Sequence, residues 1–187
     1  MAQLLAPDFP TAPPLFDVDS GRCSLDTIQQ TMERLPQGAR RLAVQLRLEL
    51  EPAWLWSVLT DYNQLDRYIP NLASSRQLWR RGNRVAVEQE GTQQFCGLRF
   101  SARVQLELIE EIECGRLSFR MLSGDFRHFE GSWQVGIDSA STWLLYDLTV
   151  QGRPGMPLGL IEQRLQQDLA CNLRGVQQEA RRRAGLS

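Results

Sequence analysis

The sequence contains no lysine, since all 21 of its basic residues are arginine. Without lysine, the chain can neither form a Schiff base with a carbonyl substrate nor supply the lysine of a phosphate-binding loop. Histidine is almost as scarce, because His128 is the only one. A histidine-based catalytic triad or metal site needs partners at suitable spacings, and the sequence offers none. We therefore assign no catalytic residue, metal or cofactor, and we interpret His128 as a surface or hydrogen-bonded structural residue.

Cysteine motifs and long apolar runs are missing as well. The first 16 residues lack the basic start and the continuous apolar core of a signal peptide. No stretch approaches the roughly 18 apolar residues that a membrane-spanning helix needs. The cysteines are widely spaced and form no CxxC pair, which argues against a zinc site or a redox motif. We expect reduced, mostly buried thiols in a cytoplasmic protein; they are Cys23, Cys96, Cys114 and Cys171.

The formal net charge is only -1, so the chain has no overall field that would attract nucleic acid or an anionic membrane. Arginines cluster at 80–84 and at 181–183, but without the interleaved aromatic residues of a nucleic-acid site. We therefore predict no nucleic-acid partner. The hydrophobic fraction of 42% is enough for one sizeable core. We predict a tail over 1–39 and a single domain over 40–184.

The predicted tail has two parts. Its first 23 residues carry four prolines among aspartates and threonines, a composition typical of a flexible or extended segment. Leu25, Ile28, Met32 and Leu35 then recur at spacings of three and four. This pattern predicts a short amphipathic helix that ends at Pro36, with a strand-like arm as the alternative.

Alternation of apolar and polar residues predicts a sheet. Over 42–50 every second residue is leucine or valine, which indicates a half-buried strand. From Leu72 the same period continues through segments separated by tight-turn sequences such as Arg81-Gly82-Asn83. Short connections require antiparallel neighbours, so these segments form a meander. With the first strand this makes a seven-stranded sheet, whose later strands are predicted at 72–80, 83–95, 98–113, 115–123, 127–138 and 142–151.

Two kinds of helix accompany the sheet. After the first strand, Pro52 suits a helical first turn, and Trp54, Leu55, Val58 and Leu59 give that helix an apolar face. Asp61 caps a second short helix that ends at Pro70, so the pair forms a V. A long amphipathic helix is predicted over 157–184; its apolar stripe consists of Leu158, Ile161, Leu165, Leu169, Leu173 and Val176. The fold class is α+β, with the sheet curled around the long helix and a cavity between them.

This order of elements is that of the helix-grip fold, and the sequence resembles the START-like superfamily, often called SRPBCC, over about 40–180. The resemblance is carried by three segments and by the final helix; the segments are Trp56-Ser57-Val58-Leu59-Thr60-Asp61-Tyr62, Tyr68-Ile69-Pro70-Asn71-Leu72 and Phe129-Glu130-Gly131-Ser132-Trp133. Within the superfamily it looks most like the polyketide cyclase/dehydrase and coenzyme-Q-binding branch. Members bind lipids, quinones, hormones, polyketides and other apolar molecules.

The resemblance implies that the chain binds or transports a hydrophobic small molecule, such as a lipid, quinone or isoprenoid, in an internal cavity. Two alternatives remain open: a polyketide cyclase or dehydrase, and a non-catalytic interaction module with a filled cavity. Loading of a carrier implies transient contact with a membrane, at 60–72 and at the elbow over 152–157. The fold analogy names Ile69, Met156 and Leu158 as contact residues there.

Aromatic side chains on the apolar face of the strands are either ordinary core residues or, as the resemblance implies for the set, the lining of the cavity. A few polar groups would orient the ligand within it. Gln89 lies an even number of residues from Val85 and Val87 on one strand, so its side chain should point inward with theirs. Arg127 would reach only the rim of the cavity. The full predicted set is Tyr68, Gln89, Phe95, Phe119, Met121, Phe129, Trp133, Tyr146, Ile161 and Leu165. In contrast, we interpret the acidic run Glu107, Glu110, Glu111 and Glu113 as a solvated outer face.

Overall fold

The structure, a computed structural model, describes residues 26–95, 98–138, 141–155 and 158–186, apart from the side chains of 93–95, 98–100, 158–161, 163 and 164. Within these residues it has eight strands and two α-helices. The strands are β1 Ile28–Arg34, β2 Arg40–Leu48, β3 Leu72–Arg81, β4 Arg84–Phe95, β5 Leu98–Glu111, β6 Arg116–Gly124, β7 Phe126–Asp138 and β8 Ser141–Gly152. The helices are α1 Pro52–Leu59 and α2 Leu158–Arg183.

All eight strands form one antiparallel sheet in the order β1-β2-β8-β7-β6-β5-β4-β3. The predicted meander is confirmed from β3 to β8, and β8 returns to lie beside β2. Two-residue turns set the register where strands are tightly joined. Between β3 and β4, Arg81 pairs with Arg84, and Gly82 takes a φ of +60° at the first turn position, which glycine adopts without steric cost.

The predicted helix over 25–35 is wrong, and the strand-like alternative is what the structure shows. Ile28 pairs with Leu46 and Met32 with Leu42, so the segment forms the edge strand β1. Ile28 and Met32 are four residues apart, a spacing that puts them on one face of a helix or of a strand alike. The sheet therefore has eight strands rather than seven, and its added strand comes from the segment predicted as tail.

The helical V is confirmed only in its first half. α1 begins at Pro52 as predicted, and it buries Leu55, Trp56, Val58 and Leu59. Trp54, predicted on the buried face, is 37% exposed. The predicted second helix is reduced to a single 3-10 turn at Leu65–Arg67.

The carboxylate of Asp61 explains part of that difference. Instead of capping a helix, it accepts a hydrogen bond from Arg183 of α2 at 2.7 Å. A tertiary ion pair has thus replaced the local capping interaction on which the prediction relied. The buried residues Leu65 and Ile69 still anchor the segment in the core.

The main core lies between the concave face of the sheet and the two helices. β2 contributes Leu42, Val44, Leu46 and Leu48, all at most 1% exposed. From α2 the predicted apolar stripe is confirmed for Leu169, Leu173 and Val176, which are at most 3% exposed; these residues belong to the same core cluster.

Close backbone contact holds the middle of α2 against the segment after α1. A Cβ atom placed on Gly175 would lie 2.0 Å from the carbonyl oxygen of Tyr68, which is far inside van der Waals contact. Two helical turns earlier, Asp168 accepts a hydrogen bond from the Asn71 amide at 2.7 Å. Glycine at 175 therefore allows α2 to approach this loop more closely than any other residue would.

Ion pairs fasten β1 to α2 near both of its ends. The Asp26 carboxylate accepts hydrogen bonds from Arg181, at 3.1 Å, and from the amide of Gln177. Further along, Glu162 of α2 accepts hydrogen bonds from Arg34, at 3.0 Å, and from Arg40. The edge strand is thus held both by its ladder to β2 and by the long helix.

Two smaller predictions need correction. Of the predicted buried thiols, Cys114 and Cys171 are free and exposed. The acidic run is not uniformly solvated: Glu107 is 3% exposed and is held on the convex face by Arg84 and Arg120. Cys23 and Cys96 lie outside the described residues. Among the described helices, none is long and apolar enough to cross a membrane.

The contact at Gly175 predicts an inverted substitution effect. Replacing glycine by alanine inside a helix normally stabilises it by up to about 1 kcal/mol. Here the added methyl group would collide with the Tyr68 carbonyl, so we expect Gly175→Ala to lower the free energy of unfolding by about 1–3 kcal/mol. Urea unfolding measures the change. The control is Gln178→Ala, on the exposed side of the same helix, which should shift it by less than about 0.5 kcal/mol. A stabilised Gly175→Ala variant would contradict the contact.

Glu179 predicts part of the acid sensitivity. Hydrogen bonds from Arg182 and Arg183 lower the pKa of its carboxyl to about 2, against its burial. Because the folded-state pKa lies below the ordinary value of 4.5, the stabilisation is present above pH 4.5 and disappears as the pH falls to about 2. We expect Glu179→Gln to cost about 1 kcal/mol at pH 7 and nothing near pH 2, measured by urea unfolding across pH. Glu33→Gln, at a pair 3.9 Å apart, is the control and should change little at either pH.

Candidate ligand-binding site

Burial on the concave face decreases in one direction along three neighbouring elements. On β6, Leu117 is 2% and Phe119 5% exposed, whereas Met121 is only partly buried. On β7, Val135 is fully buried, but Trp133 and Phe129 are not. In α2 the same gradient runs from the fully buried part of the apolar stripe back to Leu165, which is partly buried. The helix and sheet are therefore tightly packed at one end and leave accessible apolar surface at the other.

Five aromatic rings form a continuous wall on this inner surface. The centroids of Phe126 and Phe129 lie 5.3 Å apart, and Phe119 lies 5.8 Å from Phe129 and 5.8 Å from Tyr146. Trp133 stacks on Tyr146 at 4.2 Å with an interplanar angle of 22°. We call these five residues the aromatic wall. Such offset and tilted arrangements are favourable between rings and present a broad apolar surface.

Gly131 is necessary for the position of the aromatic wall. A Cβ atom at this residue would lie 2.7 Å from the Phe119 ring and 2.0 Å from the backbone oxygen of Asp147. Because Gly131 pairs with Phe119 on β6 and with Leu148 on β8, it leaves a gap in the concave face between them. The Phe119 ring fills that gap and joins the two halves of the wall.

The hydroxyl of Tyr146 is the polar group of the wall. Tyr146 is 7% exposed, and desolvation by this burial raises the pKa of its hydroxyl, with a smaller contribution from Asp147. At neutral pH the group is therefore protonated and is a hydrogen-bond donor. Among the described residues, none forms a hydrogen bond with it, although Trp133 and Phe119 contact its ring. A polar ligand atom at the wall could accept a hydrogen bond from this hydroxyl.

The other two predicted polar groups have protein partners. Gln89 lies on the concave face as predicted, where its side chain donates a hydrogen bond to the Ser75 hydroxyl at 3.3 Å. Its strand is three strands from β7 in the sheet, which is roughly 14 Å at the usual spacing. The Tyr68 hydroxyl donates to the Val58 carbonyl at 2.8 Å, and burial raises its pKa. Tyr68 therefore fixes the loop after α1, while its ring packs against the core.

The structure thus brings together part of the predicted set and leaves part outside. One inner surface joins six of the ten residues: Phe119, Met121, Phe129, Trp133, Tyr146 and Leu165. Tyr68 packs against the same core but uses its hydroxyl to hold the loop after α1, and Gln89 lies away from the wall on β4. Phe95 lies in β4 and Ile161 in α2, but their side chains are outside the described part, so both stay predictions.

Phe126 is the site residue that alternation missed. It is three residues from Phe129, so strict alternation puts the two on opposite faces. An irregularity in the pairing between Phe126 and His128 shifts the register and brings both phenylalanines to the same face. The same region leaves Arg127 exposed, and His128 is 43% exposed beside Glu130 at 3.2 Å. The sequence signal that could have identified Phe126 as a site residue was its aromatic side chain at the start of a strand.

A cluster of one buried tyrosine and two charged side chains was also missed. Tyr62 is 2% exposed, and its hydroxyl donates a hydrogen bond of 2.6 Å to the Glu110 carboxylate. Glu110 also accepts two hydrogen bonds from Arg80, each 2.8 Å long. Desolvation and the neighbouring carboxylate raise the pKa of Tyr62. The expectation of a solvated outer face is therefore wrong for Glu110, which completes the hydrogen bonding of a buried tyrosine.

Comparison with known proteins agrees with this architecture. Residues 48–174 match the model of a family described as polyketide cyclase / dehydrase and lipid transport. A search of curated proteins found no match.

Several solved structures share the fold at low sequence identity. A protein from Thermus thermophilus is 19% identical, with a TM-score of 0.64, 75% of this chain covered and 96% of the other. The Zhui aromatase/cyclase from Streptomyces sp. R1128 is 16% identical, with a TM-score of 0.67 and coverages of 78% and 96%. The STAR-related lipid transfer protein from Xanthomonas axonopodis is 14% identical, with a TM-score of 0.65 and coverages of 81% and 98%. The chain has the START-like helix-grip fold and belongs to the polyketide cyclase / dehydrase and lipid transport family.

Proposed function

We propose that the protein binds and carries a hydrophobic small molecule, such as a lipid, quinone or isoprenoid, against the aromatic wall between the sheet and α2. The observation that carries this proposal is the incomplete burial of Phe126, Phe129, Trp133, Met121 and Leu165, although all five pack against the core. Apolar side chains on an inner face are usually covered fully. Here they leave a surface that an apolar ligand would cover.

The energetics of such binding come mainly from apolar area. Each square ångström removed from water contributes about 25 cal/mol, so covering roughly 200 Å² of the wall and the ligand gives about 5 kcal/mol. The rings are already held by mutual contacts, such as the stack of Trp133 on Tyr146 at 4.2 Å. Little side-chain freedom is then lost when a ligand binds, which favours affinity.

Tyr146 supports a ligand that carries at least one oxygen atom. Its hydroxyl stays protonated at neutral pH because burial raises its pKa, so it can donate to a carbonyl or hydroxyl oxygen but cannot act as a base. A quinone or an oxygenated isoprenoid satisfies this donor, whereas a plain hydrocarbon leaves it unpaired at a cost of about 1–3 kcal/mol.

We propose a carrier rather than a cyclase or dehydrase because the wall offers no group suited to acid–base chemistry. General acid–base catalysis favours a pKa near the working pH, and burial moves the pKa of Tyr146 away from it. The described part of the inner apolar surface contributes no carboxylate or imidazole, since His128 is 43% exposed beside Glu130. The structural relatives include both an aromatase/cyclase and a lipid transfer protein.

Loading of the carrier completes the proposal. A hydrophobic ligand reaches the wall from a bilayer, so transient contact with a membrane is part of this function, in a protein of the cytoplasm. Ile69 is 9% exposed and packs in the core, so it is not available for that contact. Met156 and the side chain of Leu158 are outside the described residues.

Filling the site tests the proposal directly. Met121→Trp places a large ring on the inner face beside the aromatic wall, and we expect it to weaken binding of a ubiquinone analogue or a phospholipid by at least about tenfold, or about 1.4 kcal/mol. Leu122→Trp is the matched control, because Leu122 is 49% exposed on the opposite side of the same strand. Native mass spectrometry of the delipidated protein, titrated with each ligand, measures the binding.

Two results would contradict the proposal. One is equal loss of binding in both tryptophan variants. The other is absence of binding by the parent protein across lipids, quinones and isoprenoids, together with absence of any molecule that co-purifies from its host.

Two tyrosines separate ligand recognition from folding. The Tyr146 hydroxyl has no partner among the described residues, so we expect Tyr146→Phe to change the free energy of unfolding by less than about 0.5 kcal/mol but to weaken binding of an oxygenated ligand. Tyr62→Phe removes the 2.6 Å bond to Glu110 and should cost about 1–3 kcal/mol of stability without changing affinity. Urea unfolding and the same binding titration report both quantities; the reverse pattern would exclude Tyr146 as the orienting group.

A further inference from the structure

A second buried patch lies on the opposite, convex face of the sheet. It consists of Ala43, Gln45 and Arg47 from β2 and of Trp143 and Leu145 from β8, and we call it the convex patch. Gln45 pairs with Leu145, and Arg47 pairs with Trp143, so these side chains lie on one face. That face is not the core face, because the alternate residues of both strands, such as Leu46 and Leu144, belong to the main core.

The convex patch is as deeply buried as the core itself. Gln45 is 1% exposed, Trp143 and Leu145 are each 2% exposed, and Ala43 is 5% exposed. Both described helices lie on the other side of the sheet, where Leu55 of α1 and Leu173 of α2 enter the main core. The outer face of an antiparallel sheet is commonly solvated, so the burial of a tryptophan there is a reason to look for a segment that covers it.

The patch also contains several buried polar atoms without a hydrogen-bond partner among the described residues. They are Nε2 and Oε1 of Gln45, Nε of Arg47 and Nε1 of Trp143. Leaving such groups unsatisfied costs about 1–3 kcal/mol each, so they are normally paired. Arg47 pairs its charge with Asp138 at 2.8 Å, but its Nε still needs an acceptor. Three of the four atoms are donors, so a segment that satisfied them would supply mainly acceptors.

The chain outside the structure begins beside this patch. The described residues start at Asp26, whose backbone N–H donates to the carbonyl of Arg47 at 2.9 Å. The first described residue therefore lies beside Arg47, which belongs to the patch, and 25 residues precede it in the sequence. Extended, they span roughly 80 Å, whereas β2, β8 and β7 together cover only about 10 Å across the sheet. Length and point of entry both allow them to cross it.

The composition of that segment matches the patch. Prolines have no N–H, so Pro7, Pro10, Pro13 and Pro14 give the segment more backbone acceptors than donors. Extended proline-rich chains leave their carbonyls free and dock on aromatic side chains in known peptide-binding domains. Leucine and phenylalanine residues between the prolines supply apolar contacts; they are Leu4, Leu5, Phe9, Leu15 and Phe16.

We propose that residues 1–25 dock on the convex patch of their own chain, with prolines against the Trp143 ring and backbone carbonyls accepting from Trp143 Nε1, Arg47 Nε and Gln45 Nε2. Gln45 Oε1 accepts a backbone N–H of the same segment. This intramolecular contact is independent of the ligand-binding function, because the patch and the aromatic wall lie on opposite faces of β8.

The first test uses a full-length variant in which residues 1–24 are replaced by a glycine–serine sequence of equal length. Trp143 emission is isolated in each background by subtracting the spectrum of the corresponding Trp143→Phe chain. We expect acrylamide quenching of Trp143 to increase severalfold in the replaced chain, with a red shift. Trp54, which is 37% exposed on α1, is isolated in the same way with Trp54→Phe and should not change.

Quenching of Trp143 that is equal in the two chains would overturn the proposal. So would quenching in the parent chain that decreases with protein concentration, since a second copy would then be the cover.

A second measurement uses the full-length chain, so it tests the proposal even if the chain with the replaced segment does not fold. A nitroxide is attached at Thr11→Cys in the full chain, with the native cysteines changed to serine, and the indole N–H signals are recorded by NMR. We expect the Trp143 signal to broaden much more than that of Trp54, within one molecule. Equal broadening of the two signals, or broadening of Trp143 only when the nitroxide is on a different molecule in a mixed sample, would overturn the proposal.

Discussion

The packing of α2 on the concave face determines where the core is tightly packed and where apolar side chains stay accessible to solvent. At the C-terminal half of the helix, Leu173 and Val176 are fully buried, and Gly175 brings the helix backbone against the carbonyl of Tyr68. Towards the N-terminal half the apolar stripe loses this close cover, and Leu165 is only partly buried. One helix therefore seals the core at one end and leaves apolar side chains only partly covered at the other.

Arginine takes over many of the tertiary connections in a chain without lysine. Arg183 donates to the Ser57 carbonyl, to Asp61 and to Glu179, so a single guanidinium joins α2 to α1. A planar group with five donors can bond several acceptors at fixed angles, which an ammonium group does less well. This explains how a nearly neutral sequence uses so many basic residues within its own fold.

Sequence patterns predicted the elements with strong periodicity and failed where two periods or two partners competed. The strands from β3 to β8 and the stripe of α2 followed from alternation and helical spacing. β1 was misassigned because Ile28 and Met32 satisfy either period, and the choice depends on pairing with β2. At the second short helix, the Asp61 carboxylate that was predicted to cap it binds a distant arginine instead. Both outcomes depend on contacts far away in the chain, which local spacing does not contain.

The candidate site shows the same division. Parity alone placed Phe119, Phe129, Trp133 and Tyr146 on one face, and their rings do touch. Parity could not find Phe126, because a register irregularity brings it to that face. It also could not show that the Tyr68 hydroxyl is used by Val58, while no described residue pairs with that of Tyr146.

Gly131 limits how the aromatic wall can diversify. A Cβ atom at this position would lie 2.0 Å from the Asp147 backbone oxygen. No other residue can therefore replace Gly131 without a shift in the hydrogen-bonded pairing of β7 and β8. Changes to this inner surface, by evolution or by design, are therefore easier at its partly buried neighbours Met121 on β6 and Leu165 on α2.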